Sequence, residues 1–327
     1  MGKINIALLG FGTVGKGVYQ TIHTHQHHLL ELLGDHVEVS KIVVENIDKH
    51  SRYNKEELFT THFQKVLDDP DIDVIFEAIV GIEPAVTYVK NALKSGKHVI
   101  TANKEMFAFH GKELKNMADK HNVKIGFEAT TGGGIPVMQT IEHLLQTNYI
   151  TKTTAILNGT SNYILTEMRL HGLSFSEALI QAKKLGIAEA DPTNDIEGYD
   201  AFYKLMILSD HIFGEQPCWQ SVKRQGISHL TQKQIKEWDT CNERIKSIAT
   251  LYLNGNKIEA SIEPLILNEK DLLFGIEGVE NAITLEGSIA GKITLSGPGA
   301  GALPTASAMI EDFRIIYSLT RTPVGSV

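Results

Sequence analysis

Asp200 and Lys204 stand four residues apart, so on a helix they share one face. A carboxylate beside an ammonium can hold it in place and keep the pair poised to exchange a proton with a substrate hydroxyl. The apolar run Leu205, Met206, Ile207 and Leu208 that follows marks a buried helix, and charges on such a helix usually face a cleft; a surface ion pair is the plainer alternative. The stretch leading into this pair, Ala188-Glu189-Ala-Asp191-Pro-Thr-Asn-Asp195, is the densest polar segment of the chain. A second lysine, Lys104, follows the apolar run His98 to Thr101 in Thr-Ala-Asn103-Lys104. At the carboxyl end of a parallel strand it could donate a proton or steer a substrate, or it could be an ordinary charge in the first turn of the next helix.

The partner for such chemistry is written near the amino terminus. Gly10-Phe-Gly12-Thr-Val-Gly15 directly follows an apolar run, Ile4 to Leu9, and opens an amphipathic stretch, the context a dinucleotide fingerprint requires. Gly10 permits the tight turn, Gly12 lets backbone approach a pyrophosphate, and Gly15 lets the helix pack on the sheet. The amides of Thr13 and Val14 would point at phosphate oxygens from a helix amino terminus. At the close of the second strand a carboxylate accepts from a ribose 2′-hydroxyl, whereas arginine accommodates a 2′-phosphate. That position is Glu45, which favours NAD over NADP, although Lys49 and Arg52 just beyond could hold the phosphate instead.

Positioning these groups takes two domains, as the 327 residues allow. From Ile4 to Phe127 short apolar runs alternate with amphipathic stretches, the pattern of βαβ units and a parallel sheet. The expected strands are Ile4 to Leu9, Val37 to Val44, Asp73 to Ala78, His98 to Thr101 and Lys124 to Glu128. Val14, Val18, Ile22, Leu29 and Leu33 mark the buried stripe of one first helix, and Pro84 can start another. After Thr131 the pattern changes: Gly132, Gly133, Gly134 and Pro136 precede a helix, and the strand Thr153 to Leu157 leads into Asn158-Gly159-Thr160. Ser174 and Glu177 form a capping box ahead of Ala178 to Leu185, and Asp195 to Phe213 reads as one long helix. Lys257 to Leu267 and Asn281 to Leu285 read as strands. The fold class is therefore α/β: a Rossmann-type parallel-sheet domain, residues 1–130, plus an α+β domain, residues 131–299. The glycine turn ending at Gly301 and a helix Thr305 to Ser318 return the segment 300–327 to the first domain.

A net charge of −8 and a pI near 6.0 provide no basic field for nucleic acid. The amino terminus shows no charged leader or cleavage site, and no apolar run approaches a membrane span, so a cytoplasmic protein is expected. Cys218 and Cys241 lie far apart without a CxxC spacing, which suits a reducing compartment. His23, His25, His27 and His28 offer an i, i+4 pair, but no third ligand is near and a metal site there is not expected.

Taken together, GxGxxG, Gly81-Ile-Glu-Pro84, Thr-Ala-Asn-Lys104, Glu128-Ala-Thr-Thr-Gly-Gly-Gly-Ile-Pro136, Asn-Gly-Thr160-Ser-Asn, Ala-Glu189-Ala-Asp-Pro-Thr-Asn-Asp195 and the closing Gly-Pro-Gly-Ala-Gly-Ala-Leu-Pro-Thr-Ala-Ser307 resemble homoserine dehydrogenase, in order and over nearly the whole chain. The resemblance implies reversible oxidation of L-homoserine to L-aspartate 4-semialdehyde with NAD or NADP, in the route to threonine, methionine and isoleucine. It places the catalytic lysines on Lys104 and Lys204, with Asp200 beside them. Substrate-binding carboxylates fall on Glu189, which should meet the amino group, and on Asp195, with Thr160 and Gly159 as the substrate-contacting turn. Ala102 and Lys104 border the nicotinamide, and Gly301 joins the cofactor side. It also implies a sodium ion on main-chain oxygens of Glu128, Thr131, Gly133 and Ile135, in a structural role, and a homodimer built through the second domain.

Two departures matter. Many bacterial relatives carry Arg where this chain has Glu45, and many carry a carboxy-terminal regulatory ACT domain, whereas this chain stops soon after its final helix, so threonine feedback through such a domain is not expected. Val80 stands where the pattern often has Gly, near the nicotinamide side. Either Lys104 or Lys204 could supply the proton, with Asp200 orienting it. The rival readings are a semialdehyde dehydrogenase, which would need Cys218 or Cys241 as nucleophile, and a non-catalytic dinucleotide sensor.

Overall fold

The computed structural model describes residues 2–53 and 56–321. The chain folds into two compact units, residues 1–134 with 301–327, and residues 135–300. In the first, β1 (Lys3–Leu9), α1 (Thr13–Thr24), α2 (Gln26–Leu33), β2 (His36–Val43), β3 (Phe59–Thr60), α3 (Gln64–Leu67), β4 (Ile72–Glu77), α4 (Ala85–Lys94), β5 (His98–Thr101), α5 (Lys104–Lys120) and β6 (Ile125–Gly126) follow one another. The six strands pair in parallel in the order β3-β2-β1-β4-β5-β6. This is a doubly wound sheet whose strand order reverses between β1 and β4, and ligands bind outside the carboxyl ends of the strands at that crevice. Its strands are near-continuous apolar runs because helices cover both faces. Ile6, Leu8, Val74, Phe76 and Ile100 are buried with Val18 and Ile22 of α1 and with Met309 and Phe313 of the carboxy-terminal helix, Ala302–Arg321. That helix packs so closely on α1 that a Cβ at Gly17 would lie 2.3 Å from the Ala302 carbonyl oxygen.

The second unit contains α6 (Val137–Leu145), β7 (Ile150–Ile156), α7 (Gly159–Leu170), α8 (Phe175–Lys184), α9 (Thr193–Ile196), α10 (Tyr199–Phe213), β8 (Lys223–Arg224), α11 (Gln232–Thr240), β9 (Glu243–Asn254), β10 (Lys257–Asn268), β11 (Glu280–Gly287) and β12 (Gly291–Pro298). Its sheet runs β12-β11-β7-β9-β10-β8, antiparallel except where β8 joins β10. Among the described residues no helix is long and apolar enough to cross a membrane.

Several elements differ from the sequence-based expectation. The single first helix is two, because His25 leaves helical geometry (φ −111°, ψ 20°) while the apolar stripe continues across it. The break also puts His23 and His27 on different helices. The last expected strand of the sheet shrinks to β6, and Glu128 lies instead in a 3₁₀ turn, Glu128–Thr130. The expected helix Asp195 to Phe213 is broken at Gly198, whose φ of +78° is open to glycine at little cost, so Asp195 lies in the short helix Thr193–Ile196 and Asp200 in the first turn of the next. The carboxy-terminal helix begins at Ala302 rather than Thr305, with Pro304 in the first turn, where a missing N–H costs nothing. Strands β3, β8, β9 and β12 were not expected. The capping box of Ser174 and Glu177 is present.

Candidate active site

In the first unit, β1 ends on a turn that only glycines can make. Gly10 has φ +91° and a Cβ there would sit 2.7 Å from the Ala78 oxygen; a Cβ at Gly15 would sit 2.2 Å from the Gly10 oxygen. Gly12 is the opposite case, since a Cβ there would meet nothing within 4 Å. Gly12 is also the N-cap of α1 with no side-chain cap, so the amides of Thr13 and Val14 open the helix without a protein side chain bound at its cap. Open space facing uncapped helix amides is what a pyrophosphate needs, and these residues fit a dinucleotide. Glu45 lies two residues beyond the end of β2 rather than on it and is exposed, as is Lys49; the Arg52 side chain lies outside the described residues.

The strands beside β1 carry the second part of this site. Asn103 caps α5 by accepting from the Met106 amide at 3.0 Å, while its Nδ2 donates to the oxygens of Ile79 at 2.9 Å and Gly81 at 2.7 Å. Lys104 is thereby held as the first residue of α5, half-buried beside the half-buried Ala102. A cation is disfavoured at the positive end of a helix, so helix stability does not account for a lysine there. Glu77, at the end of β4, was not singled out from the sequence. Its carboxyl is fully buried, accepting from the Ile79 amide at 2.6 Å and the Thr101 hydroxyl at 2.5 Å. Burial pushes its pKa up to about 7, against the hydrogen bonds of Thr101, Ile79 and Asn103, which lower it. A lone carboxylate inside the apolar run Val74-Ile-Phe-Glu77 was the available signal.

In the second unit, side chains far apart in sequence converge. The Lys204 ammonium donates to Asp200 Oδ2 at 2.8 Å and to the Leu157 oxygen at 2.7 Å, and both residues are buried. Asn158 caps α7, accepting from the Ser161 amide at 2.7 Å; its Nδ2 donates to Asp195 Oδ1 at 2.7 Å and to Asp200 Oδ2 at 2.9 Å. Asn281 adds a second donor to the Leu157 oxygen at 2.9 Å. Asp195, Asp200 and Lys204 are thus one network, joined by Asn158 and Asn281, which the sequence did not mark as site residues. Thr160 donates to the Ile187 oxygen at 3.0 Å, tying the turn to the segment that precedes Glu189. Gly159 is required because a Cβ there would lie 2.6 Å from the Val279 oxygen. Glu189 is exposed and is not part of this network. Beneath the turn, the buried Lys246 donates to Asn162 Oδ1 at 3.2 Å and to the Ile276 oxygen, and pairs with Glu277 at 3.3 Å. Burial drives its pKa down to about 8 although Glu277 opposes this.

Of the expected cation-binding oxygens, Glu128, Thr131 and Gly133 lie on a buried, sharply turned stretch of the first unit, with Gly133 at φ +60° and the Glu128 amide donating to Asp312 Oδ2 at 2.9 Å. Ile135 is the first residue of the second unit, and its oxygen accepts from the Val137 amide at 2.8 Å. Gly301 sits at φ +123° just ahead of the carboxy-terminal helix and is exposed.

The family model described as homoserine dehydrogenase matches residues 136–313, and the one for the homoserine dehydrogenase NAD binding domain matches residues 10–128. The homoserine dehydrogenase of Bacillus subtilis is 39% identical over 99% of this chain and 75% of that protein. A crystal structure of a homoserine dehydrogenase from Thiobacillus denitrificans superposes with a TM-score of 0.92 at 37% identity, covering 98% of this chain and 76% of that one. A hyperthermophilic archaeal homoserine dehydrogenase in complex with NADPH superposes with a TM-score of 0.81 at 29% identity, covering 98% of this chain and 99% of that one. These matches favour the dehydrogenase over the thiol-dependent and non-catalytic readings, and Cys218 and Cys241 are exposed and outside the network. The doubly wound unit with its glycine turn, the polar network of the second unit and the two family matches lead to one conclusion: the chain belongs to the homoserine dehydrogenase family of NAD(P)-dependent oxidoreductases.

Proposed function

We propose that this chain interconverts L-homoserine and L-aspartate 4-semialdehyde, that Lys204 moves the proton at the substrate oxygen with Asp200 as its orienting partner, and that NAD is the preferred cofactor. The observation that carries the assignment of Lys204 is its buried ammonium, fixed by Asp200 and Leu157. The nicotinamide cofactor, when bound, accepts or supplies the hydride. In the reductive direction Lys204 gives a proton to the oxygen as negative charge develops on it. In the oxidative direction it takes that proton back, and the Asp200 carboxylate favours the ammonium form that results. Asn158 holds Asp195 and Asp200 in register, so the substrate's polar groups meet a fixed array. Glu189 meets the substrate amino group, Thr160 and Gly159 form the turn against the substrate, and Lys104 lies on the cofactor side with Ala102.

The amides of Thr13 and Val14 receive the pyrophosphate over Gly12, with Gly10 and Gly15 shaping the turn and Gly301 nearby. An NADPH complex exists for the archaeal relative, so a 2′-phosphorylated dinucleotide is within the family's reach. Glu45 favours NAD here, because its exposed carboxylate accepts from a 2′-hydroxyl and repels a 2′-phosphate. A sodium ion on main-chain oxygens of Glu128, Thr131, Gly133 and Ile135, a homodimer formed through the second unit and a cytoplasmic setting complete the proposal. Initial rates with L-homoserine and each dinucleotide test the reading: we expect reduction of NAD with a higher kcat/KM than NADP. No homoserine-dependent reduction of either would refute the activity.

A further inference from the structure

Glu77 is an unusual feature of the first unit. A fully buried carboxyl is costly, and among the described residues no cation is paired with it. Its partners are the amide of Ile79 and the hydroxyl of Thr101, one on each of the two segments that leave the carboxyl ends of β4 and β5. The hydroxyl of Thr101 in turn accepts from the Asn103 amide at 3.0 Å, and Asn103 returns to the other segment by donating to the oxygens of Ile79 and Gly81. The two segments are therefore laced together by a closed ring of hydrogen bonds with the Glu77 carboxyl at its base. One of them carries Val80, 94% exposed, and the other carries Ala102 and Lys104. The ring also abuts the glycine turn, because the Ala78 amide donates to the Leu9 oxygen at 2.8 Å and the Ala78 oxygen is what excludes a side chain at Gly10. Since β1 and β4 flank the point where strand order reverses, Glu77 stands at the floor of the dinucleotide crevice.

We propose that Glu77 is a positioning residue for cofactor binding and turnover, acting through Ile79 and Thr101 to fix the segments Ile79–Gly81 and Ala102–Lys104 beside the glycine turn. The inference rests on the reading that this crevice holds the nicotinamide cofactor and that Lys104 borders it. Hydrogen bonds rather than charge carry the role, because one carboxyl oxygen accepts from Ile79 and the other meets a hydroxyl. A glutamine retains the acceptor toward Ile79 and keeps a hydrogen bond to Thr101 with the direction reversed, its amide donating to the hydroxyl oxygen and the hydroxyl proton turned away. A methionine of similar length keeps neither.

The test is fluorescence titration of the cofactor-free protein with NADH, alongside steady-state kinetics. Glu77→Met is expected to weaken NADH binding about ten- to a hundredfold, the scale of one or two lost buried hydrogen bonds to a charged or strongly polar group. It is expected to lower kcat while the KM for homoserine stays within about threefold of the unaltered protein. Glu77→Gln is expected to recover binding to within about threefold. Thr101→Val, which removes one hydroxyl, should weaken binding in the same direction, and Thr101→Ser should restore it; this pair carries the test if Glu77→Met does not fold. Unchanged NADH binding in Thr101→Val, or a Glu77→Gln protein as impaired as Glu77→Met, would overturn the proposal. Lys104→Met measured in parallel separates the two readings. Full turnover in that variant would sink the role of Lys104, whereas the NADH titrations report on Glu77 independently of any chemistry at Lys104.

Discussion

Replacing Lys204 by Met removes the ammonium that lies 2.8 Å from the Asp200 carboxylate in a buried setting. At that separation the attraction is about 6 kcal/mol for an effective dielectric near 20, and desolvation of both groups offsets part of it. Breaking one side of such a pair costs roughly 3–5 kcal/mol, because the buried carboxylate loses the charge that lies 2.8 Å from it. Asp200→Asn leaves the ammonium buried and should cost a similar amount, whereas the double variant Asp200→Asn/Lys204→Met removes both charges of the pair. Urea unfolding followed by the emission of Trp219 and Trp238, both in the second unit, reads this out. The double variant should lie well above the sum of the singles, with a coupling of about 2–4 kcal/mol. Activity should behave differently: Lys204→Met is expected to lose about 10²- to 10⁴-fold in kcat, and the double variant should recover stability without recovering turnover. Additive losses of stability would refute the buried pair, and near-normal turnover in Lys204→Met would refute its role in proton transfer.

Two further outcomes follow from the first unit. Glu45→Arg should invert the cofactor preference, raising kcat/KM for NADP relative to NAD by about tenfold or more in paired initial-rate assays, and an unchanged ratio would mean that Glu45 does not face the ribose. Stability should fall as pH rises because of Glu77: its carboxyl titrates near 4.5 when unfolded and at about 7 when folded, so between those values the folded form retains a proton that the unfolded chain has released. The difference of 2.5 units, 7 less 4.5, corresponds to about 3 kcal/mol present below pH 4.5 and lost by pH 8. Hydrogen exchange of β4 and β5 at pH 5 and pH 8 should detect it, and Glu77→Gln should abolish that part of the pH dependence; an equal slope in both proteins would assign it elsewhere.

What the sequence determined by itself was local. The glycine turn, the helix cap at Ser174 and the face shared by Asp200 and Lys204 each depend on residues within a few positions, where backbone sterics and helical period settle the outcome. Strands β1, β2, β4 and β5 of the first unit were equally legible, because strands buried on both faces are written as continuous apolar runs, whereas the two-residue β3 was not. The strands β9 and β12 were not, since Glu243–Asn254 carries Arg244 and Lys246 inside it and the alternating stretch of β12, Lys292 to Ser296, is short and bounded by Gly291 and Gly297. Their strand character comes from partners elsewhere in the chain. Tertiary structure alone decided the chemistry's surroundings. It brought Leu157 to Lys204 and Asn158 to both Asp195 and Asp200 across 37 to 47 residues, and Thr101 to Glu77 across 24. It also left Glu189 outside that network, although its sequence neighbours suggested otherwise. The physical reason is that a buried polar group must find a partner wherever the fold places one, and only the packed chain determines which donor or acceptor that will be.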